Sequence, residues 1–417
     1  MQYVLIGLLA AAINAFAQTN HSAPETPAPD LGDITNSNVL RPSREPNEAA
    51  LNQYFQVQLE LAVRQRHEKS PQEACKTLVD ILQTNSPPEF KRKALFELAL
   101  ATQDVPDYVK AEQVYGQYVS LYPDDPSVPE VLLRQGLLYR QMGVNTMAIS
   151  KFYGVMSTAL KLKLDTIEYY KTLVLQAQTE IADTYYLMGD YADSADFYAR
   201  ILKVDNASLN KELVQSKLIR SLSYLSNNVE LIVRSQKYLG DFTNSPNVAE
   251  IRFLLASAYK NVGRNQEALK QVLVLLESQQ TNTLSSPGVW AYWQRRAGNQ
   301  IANELYKEGD YLDALQIYQC MAKLDDGIDW KLPVWYQIGL VYEQLQQWDK
   351  ATNYYTHITA KQKEVTAAGN PPSLSELCEM AQWRMDYIAW AEKARLANHE
   401  FERSALYNSS TNKTSIQ

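Results

Sequence analysis

Residues 335–342 read WYQIGLVY, and Ala351 and Tyr355 follow at the spacing A-x3-Y. Large apolar side chains lie three or four positions apart around Gly339, which places them on one face of a helix. The second pair repeats this arrangement on a following helix. Small residues where two helices cross let them pack closely, but such a hairpin keeps an apolar face that it cannot bury alone. The pattern therefore predicts hairpins that stack on one another.

The same spacing recurs around glycines that we interpret as turns. The segments around Gly189 and Gly309 are near copies, MGDYAD and EGDYLD. In both, a small residue lies seven positions before the glycine, another five positions after it, and an aromatic four positions further on. The frame also fits at Ala62, Ala74 and Leu78; at Ala99, Ala111 and Tyr115; at Gly136, Ala148 and Phe152; at Ala182, Ser194 and Tyr198; at Ala256 and Ala268; and at Ala302, Ala314 and Tyr318.

This pattern resembles the tetratricopeptide repeat (TPR), with Ile338 in place of leucine and Tyr355 in place of phenylalanine. A divergent unit is expected after Gly189, with Ser221 in the small position and Val233 in place of alanine. The resemblance implies an all-α fold, a helical-hairpin (TPR) solenoid of about seven to eight units. Neighbouring turns lie 37 or 46 residues apart, more than the usual period of about 34, so helices or loops must be longer.

A last helix is predicted from about Ser375 to Asn398. Its apolar stripe is formed by Trp383, Tyr387, Trp390 and Ala394. No partner helix follows it in the sequence. We interpret it as the C-terminal capping helix that closes a solenoid.

The N-terminal residues have a different composition. An apolar run over residues 4–17 ends in the A-x-A sequence Ala15-Phe16-Ala17, which indicates a signal peptide or, alternatively, a retained interfacial anchor. The run is shorter than the roughly 20 residues of a membrane span. We expect these boundaries: 1–17 signal peptide, 18–47 disordered Pro-rich tether, 48–400 TPR solenoid and 401–417 disordered tail. This layout resembles exported bacterial TPR proteins of the cell envelope.

The mature chain is mildly acidic, since 40 Lys and Arg stand against 47 Asp and Glu. Nucleic acid is therefore not an expected partner, because its binding requires clustered cations. The three cysteines, Cys75, Cys320 and Cys378, have no C-x-x-C spacing. They are interpreted as small buried residues on helices, with a Cys320–Cys378 disulfide as the alternative.

Motifs that carry chemistry do not occur in the sequence. The four histidines form no H-E-x-x-H pair, and there is neither a G-x-S-x-G elbow nor a glycine-rich phosphate loop. The acidic group at residues 325–329 lacks the frame of a calcium loop and is interpreted as a helix-capping loop. We expect no catalytic residues, no metal and no cofactor.

The TPR resemblance implies that the first helix of each unit lines a concave face. Positions that flank the core would then face a partner, and their mixture of Tyr, Asn and both charges suits a peptide or protein segment. The candidate partner-binding residues are Arg140, Asp183, Tyr186, Phe253, Lys260, Arg296, Asn303, Tyr306, Tyr336 and Glu343.

All seven tryptophans lie from Trp290 onward. Trp290 and Trp293 either fill the junction after a long loop or line a partner pocket, so we expect the interaction surface in the C-terminal half. The predicted function is a non-enzymatic scaffold or adaptor in the cell envelope that binds a protein or peptide partner. The alternatives are a peptidoglycan- or glycan-binding module and a self-associating structural envelope protein.

Overall fold

The structure, a computed structural model, describes residues 48–161, 167–204, 206–207, 209–277, 287–369 and 371–411. The predicted signal peptide and tether, and residues 412–417, lie outside these ranges. The chain divides into two units after Tyr54. The first unit is described only at residues 48–54, in the first turns of a helix, and the second contains the hairpins. No strand occurs among the described residues.

Helices follow one another along the chain, and from the second helix onward each packs against the next in chain order. The hairpins are α1 (Glu48–His67) with α2 (Pro71–Gln83), α3 (Pro88–Asp104) with α4 (Tyr108–Leu121), α5 (Val128–Gln141) with α6 (Asn145–Ala159), α7 (Ile167–Met188) with α8 (Tyr191–Ile201), α9 (Lys211–Tyr224) with α10 (Asn228–Asp241), α11 (Val248–Asn261) with α12 (Asn265–Glu277), α13 (Pro287–Glu308) with α14 (Tyr311–Met321), and α15 (Ile328–Gln344) with α16 (Trp348–Ala360). The short α17 (Gln362–Ala367) and the long α18 (Pro372–Thr411) complete the array. The predicted all-α array of about seven to eight hairpins is confirmed.

In each hairpin, one residue between the two helices takes a left-handed backbone conformation. These turn residues are Lys69, Pro106, Gly143, Gly189, Ser226, Gly263, Gly309 and Gln346. The four glycines have φ between 76° and 90°, a region where an L side chain costs about 1–2 kcal/mol. The turn residue therefore sets the frame of each hairpin.

Two positions counted from the turn residue form the centre of each hairpin. We call the residue seven before the turn the crossing position and the residue nine after it the ring position. A Cβ atom on Gly136 would lie 2.4 Å from the ring of Phe152, and one on Gly339 would lie 2.5 Å from the ring of Tyr355. Five such rings are at most 1% exposed: Tyr115, Phe152, Tyr198, Tyr318 and Tyr355. The small crossing residue thus makes room for the aromatic of the paired helix.

The fifth hairpin, α9 with α10, keeps this geometry with the sizes reversed. Its turn residue is Ser226, so the predicted frame, with Val233 at the small position, was wrong by two residues. Val233 is instead 57% exposed. Ile219 occupies the crossing position and Ser235 the ring position, and both are fully buried. A bulky residue on the first helix and a small one on the second thus take the place of the small crossing residue and the large ring, the kind of exchange that cores tolerate when total volume is conserved.

The capping helix is longer than predicted and packs with another face. α18 continues to Thr411, so the expected boundary of the tail at residue 401 falls inside it. Its buried side chains include Leu374, Leu377, Ala381 and Ile388. The aromatic stripe that identified the helix in the sequence faces away from the array: Trp383, Tyr387 and Trp390 are 59%, 42% and 64% exposed. α18 therefore has an apolar surface on two sides.

The cysteines are all free thiols, so the alternative of a Cys320–Cys378 disulfide is not formed. Cys378 is buried, as expected, while Cys75 and Cys320 are half-buried. Trp290, for which the sequence allows two roles, is 8% exposed and packs in the core formed with α11 and α12.

Candidate functional site

Three pockets follow one another along the first helices of five consecutive hairpins. The first pocket, of about 340 Å³, lies on α5, α7 and α9. The second, of about 280 Å³, lies on α7, α9, α11 and α13 and shares Tyr186 and Arg220 with the first. The third, of about 460 Å³, lies on α13 and shares Arg296 with the second. We call this continuous line of pockets the first-helix groove.

Ion pairs connect successive first helices along the groove. Arg140 on α5 pairs with Glu180 on α7 at 2.5 Å. On the same helix as Glu180, Asp183 pairs with Lys217 of α9 at 2.7 Å. Each of these four side chains is 16–25% exposed. Partly exposed pairs of this kind contribute about 0–1 kcal/mol each to stability, so their main effect is to hold charged groups at defined places on the groove floor.

A third pair joins α9 to α11. Arg220 contacts Glu250 through two parallel hydrogen bonds, Nε to Oε1 at 2.8 Å and Nη2 to Oε2 at 2.7 Å. The hydrogen bonds from Arg220 to Glu250 raise the pKa of the guanidinium. Such a bidentate pair fixes the orientation of Arg220 where the first two pockets meet.

The second and third pockets meet at a cluster of aromatic rings around an arginine. The guanidinium of Arg296 lies 5.2 Å from the centre of the Phe253 ring and 5.3 Å from that of Trp293. Its Nη1 donates a hydrogen bond to the hydroxyl of Tyr292 at 2.7 Å. Among the described residues Arg296 has ring partners and no carboxylate partner. We call these four residues the arginine–aromatic cluster; Arg296 and Tyr292 are its exposed members.

Half of the predicted partner-binding residues line the groove. These are Arg140, Asp183, Tyr186, Phe253 and Arg296. Burial raises the pKa of Tyr186 to about 12, so its phenol stays protonated near neutral pH. Tyr186 packs edge-on against Tyr191 and Tyr224 at 5.3 and 5.9 Å, which forms an aromatic wall between the first and second pockets.

The other five predicted residues lie outside the three pockets, where they bind or pack against neighbouring side chains. Lys260 pairs with Glu308. Asn303 accepts a hydrogen bond from the buried Tyr318 hydroxyl at 2.6 Å. Tyr306 packs against Tyr311, Tyr336 packs against Tyr355, and Glu343 accepts hydrogen bonds from Tyr355 at 2.5 Å and Arg384 at 3.2 Å. These contacts join helices to one another within the array.

Sequence reasoning missed Lys217 and Arg220, because the frame of the fifth hairpin was placed two residues too late. Arg220 lies six positions before its turn residue, as Asp183 and Asn303 lie before theirs. The Asp or Asn that directly follows the turn residue is a signal that could have located the turn of the fifth hairpin correctly. Asn227 caps α10 by accepting a hydrogen bond from the backbone of Glu230, as Asp190 caps α8.

Within the described ranges, His, Cys, Asp and Glu side chains do not gather in groups of three that could hold a metal ion. Over the same ranges, none of the helices combines the length and apolar character that a bilayer crossing requires.

Comparison with known proteins gives a family match over one hairpin. The tetratricopeptide-repeat model matches residues 334–365, which include most of α15 and all of α16. No curated protein sequence matches the chain significantly.

Solved structures with similar helical arrays include three bacterial or pilus-related proteins. The C-terminal part of a TPR protein from Cytophaga hutchinsonii is 14% identical, with 64% of this chain and 95% of that chain covered and a TM-score of 0.48. A TPR protein from Parabacteroides merdae is 13% identical, with 79% and 99% covered and a TM-score of 0.38. PilW, a type IV pilus biogenesis factor, is 16% identical, with 56% and 98% covered and a TM-score of 0.37. Residues 334–365 therefore match the tetratricopeptide repeat, and the turn, crossing and ring positions of that hairpin recur in the other hairpins.

Proposed function

We propose that this protein is a non-enzymatic scaffold that holds an extended segment of a protein partner in the first-helix groove. The continuity of the groove supports this proposal, since pockets that share Tyr186, Arg220 and Arg296 run over five successive first helices. Stacked hairpins present extended surfaces of this kind to partners. The groove is also rich in Tyr, Trp and Arg, the residue types that dominate binding hot spots.

The charges of the groove favour a segment that carries an acidic group. Five cationic side chains line the three pockets against two carboxylates, Asp183 and Glu250. Most of the cations have carboxylate partners, and Arg296 is the one held between rings instead. We infer that an Asp, Glu or terminal carboxylate of the partner binds the Arg296 guanidinium. A neighbouring apolar side chain would pack against Trp293.

The groove can be tested by photo-crosslinking followed by affinity measurement. A photoreactive amino acid at position 187, on the wall of the first pocket, identifies the bound partner in extract from the native cell by mass spectrometry. We then expect Arg296→Ala to weaken binding of that partner by about 30-fold, the effect of a hot-spot residue of about 2 kcal/mol. The matched control is Arg234→Ala on the second helix α10, where Arg234 pairs only with Glu230 on the same helix. Equal affinity of the two variants would mean that the partner binds elsewhere.

We also propose that the scaffold works in the cell envelope after export. The apolar run over residues 4–17 and the A-x-A site before Gln18 support this location. Cell fractionation with mass spectrometry of the N-terminus is expected to find the chain in the envelope fraction, beginning at Gln18. A cytoplasmic chain that retains Met1 would contradict export.

A further inference from the structure

The outward face of α18 has the spacing of a coiled-coil seam. Met380, Trp383, Tyr387 and Trp390 are 42–64% exposed, and Ala394 and Ala397 continue their alternating spacing of three and four positions. This repeat is the one by which two helices interlock their side chains. We call these six residues the outer seam; at 1.5 Å per residue it is about 26 Å long.

The outer seam is held in place by the rest of the array. On the opposite side of α18, Leu377, Ala381 and Ile388 are buried in the C-terminal core. Arg384 reaches Glu343 of α15 at 3.2 Å. The seam therefore belongs to a docked helix, and its aromatic side chains are preorganised: the rings of Trp383 and Tyr387 are stacked with centres 5.6 Å apart. A large exposed apolar patch on a folded protein usually marks an interaction site.

We propose that the outer seam binds the outer seam of a second copy of this chain, with the two helices antiparallel. The two-fold axis passes between Ile388 and Ala389. Tyr387 then faces Trp390 of the second copy, Trp383 faces its Ala394, and Met380 faces its Ala397. Four of the six layers thus set a large side chain against alanine, which a two-helix seam can accommodate. In a parallel pair, each tryptophan would instead face the same tryptophan of the second copy.

Charged residues beside the seam favour this register over the one shifted toward Ala397. Asp386 and Lys393 are exposed on the same flank of the outer seam. With the axis between Ile388 and Ala389, Asp386 of each copy faces Lys393 of the other, so the pair forms twice. If the helices are shifted by one heptad so that they overlap more at the C-terminal end of the seam, Asp386 faces Glu400 of the second copy. Lys393 then faces Lys393 of the second copy. Complementary flanking charges of this kind set register and partner choice in coiled coils.

The neighbouring register in the other direction makes a distinct prediction. It would place Lys393 opposite Glu379 and would pair the large side chains of the seam with one another. In the proposed register Glu379 faces Glu400 of the second copy, at the end of the seam. Replacing the acidic residue with lysine at position 386 or at position 379 therefore distinguishes the proposed register from this neighbouring one.

The test is sedimentation velocity of the full mature chain over a range of concentrations. We expect a wild-type dimer with a dissociation constant of roughly micromolar size, since the interface is small. Asp386→Lys and Lys393→Asp alone are each expected to weaken the dimer at least tenfold. An equimolar mixture of these two variants should dimerise like the wild type, because every Asp–Lys pair is restored between unlike chains. The double variant Asp386→Lys/Lys393→Asp should do the same.

Glu379→Lys is the matched control, and it is expected to keep or tighten the dimer. All three positions are exposed, and circular dichroism confirms that the variants are folded. Loss of the dimer in Glu379→Lys but not in Asp386→Lys would overturn the proposed register. A wild-type chain that stays monomeric, while vesicles of phosphatidylethanolamine and phosphatidylglycerol shift its tryptophan fluorescence to the blue, would assign the seam to a lipid surface and overturn the proposal.

Discussion

Replacing Gly339 with alanine is expected to destabilise the eighth hairpin by about 2–3 kcal/mol, because it overfills a packed helix crossing. The new Cβ would lie 2.5 Å from the ring of Tyr355. That ring is fully buried, and its hydroxyl donates a hydrogen bond to Glu343 at 2.5 Å. The ring can therefore move only if this hydrogen bond is distorted and the two helices separate. Gly339→Leu should be too large for α15 and α16 to pair at all.

Urea unfolding monitored by tryptophan fluorescence measures this effect, since Trp335 and Trp348 lie on the same hairpin. Two other helical glycines provide controls. A Cβ on Gly116 would make only ordinary contacts at 3.6 Å or more, so Gly116→Ala is expected to stabilise α4 by up to about 1 kcal/mol through helix propensity. Gly298→Ala would meet the flexible side chain of Met321 and should have an intermediate effect. Equal effects at Gly339 and Gly116 would contradict the crossing geometry.

The reversed sizes in the fifth hairpin predict a strong coupling between Ile219 and Ser235. Ile219→Ala should cost about 2–4 kcal/mol by leaving a cavity. Ser235→Phe should cost about 1–3 kcal/mol by overfilling the same space. Together the two changes give this hairpin the small crossing residue and the aromatic ring that five other hairpins have. We expect the double variant to recover at least about 1 kcal/mol relative to the sum of the single changes.

A double-mutant cycle in urea measures this coupling. The hydroxyl of Ser235 has no hydrogen-bond partner among the described residues, so its replacement leaves no buried acceptor unpaired. Val233→Ala is the control, because Val233 is 57% exposed and its truncation should change stability by less than about 0.5 kcal/mol. Additive effects of Ile219→Ala and Ser235→Phe would show that the two positions do not share one space.

Most of the fold was predictable because the turn residues and the small crossing residues recur at fixed spacings that can be recognised in the sequence. A turn residue with positive φ lies in each of the eight hairpins, and an alanine or glycine occupies the crossing position in all of them except the fifth. The frame failed where Ile219 and Ser235 exchange sizes. A packed interior requires the right total volume, whichever helix supplies the larger side chain. A search for small residues at fixed positions therefore misses a hairpin in which the large and small residues have changed places.

The candidate site was predictable only in part, for a related reason. Arg140, Tyr186 and Arg296 were found because first-helix positions that flank the core tend to face the groove. Asn303 and Glu343 occupy comparable positions, yet their side chains accept hydrogen bonds from the ring-position tyrosines of their own hairpins. Whether a polar residue faces a partner or a buried phenol depends on the neighbouring helix, which the position in the repeat does not specify.

Local spacing in the chain was enough to establish helices, turns and the stacking of hairpins, because seven of the eight hairpins have a glycine or alanine at the crossing position and five have an aromatic ring at the ring position. It did not establish which face of α18 packs, since both of its faces are apolar, and Leu377 and Ile388 rather than Trp383 and Trp390 meet α15 and α16. The groove likewise exists only once five first helices lie side by side, because its ion pairs and its arginine–aromatic cluster join residues from different hairpins.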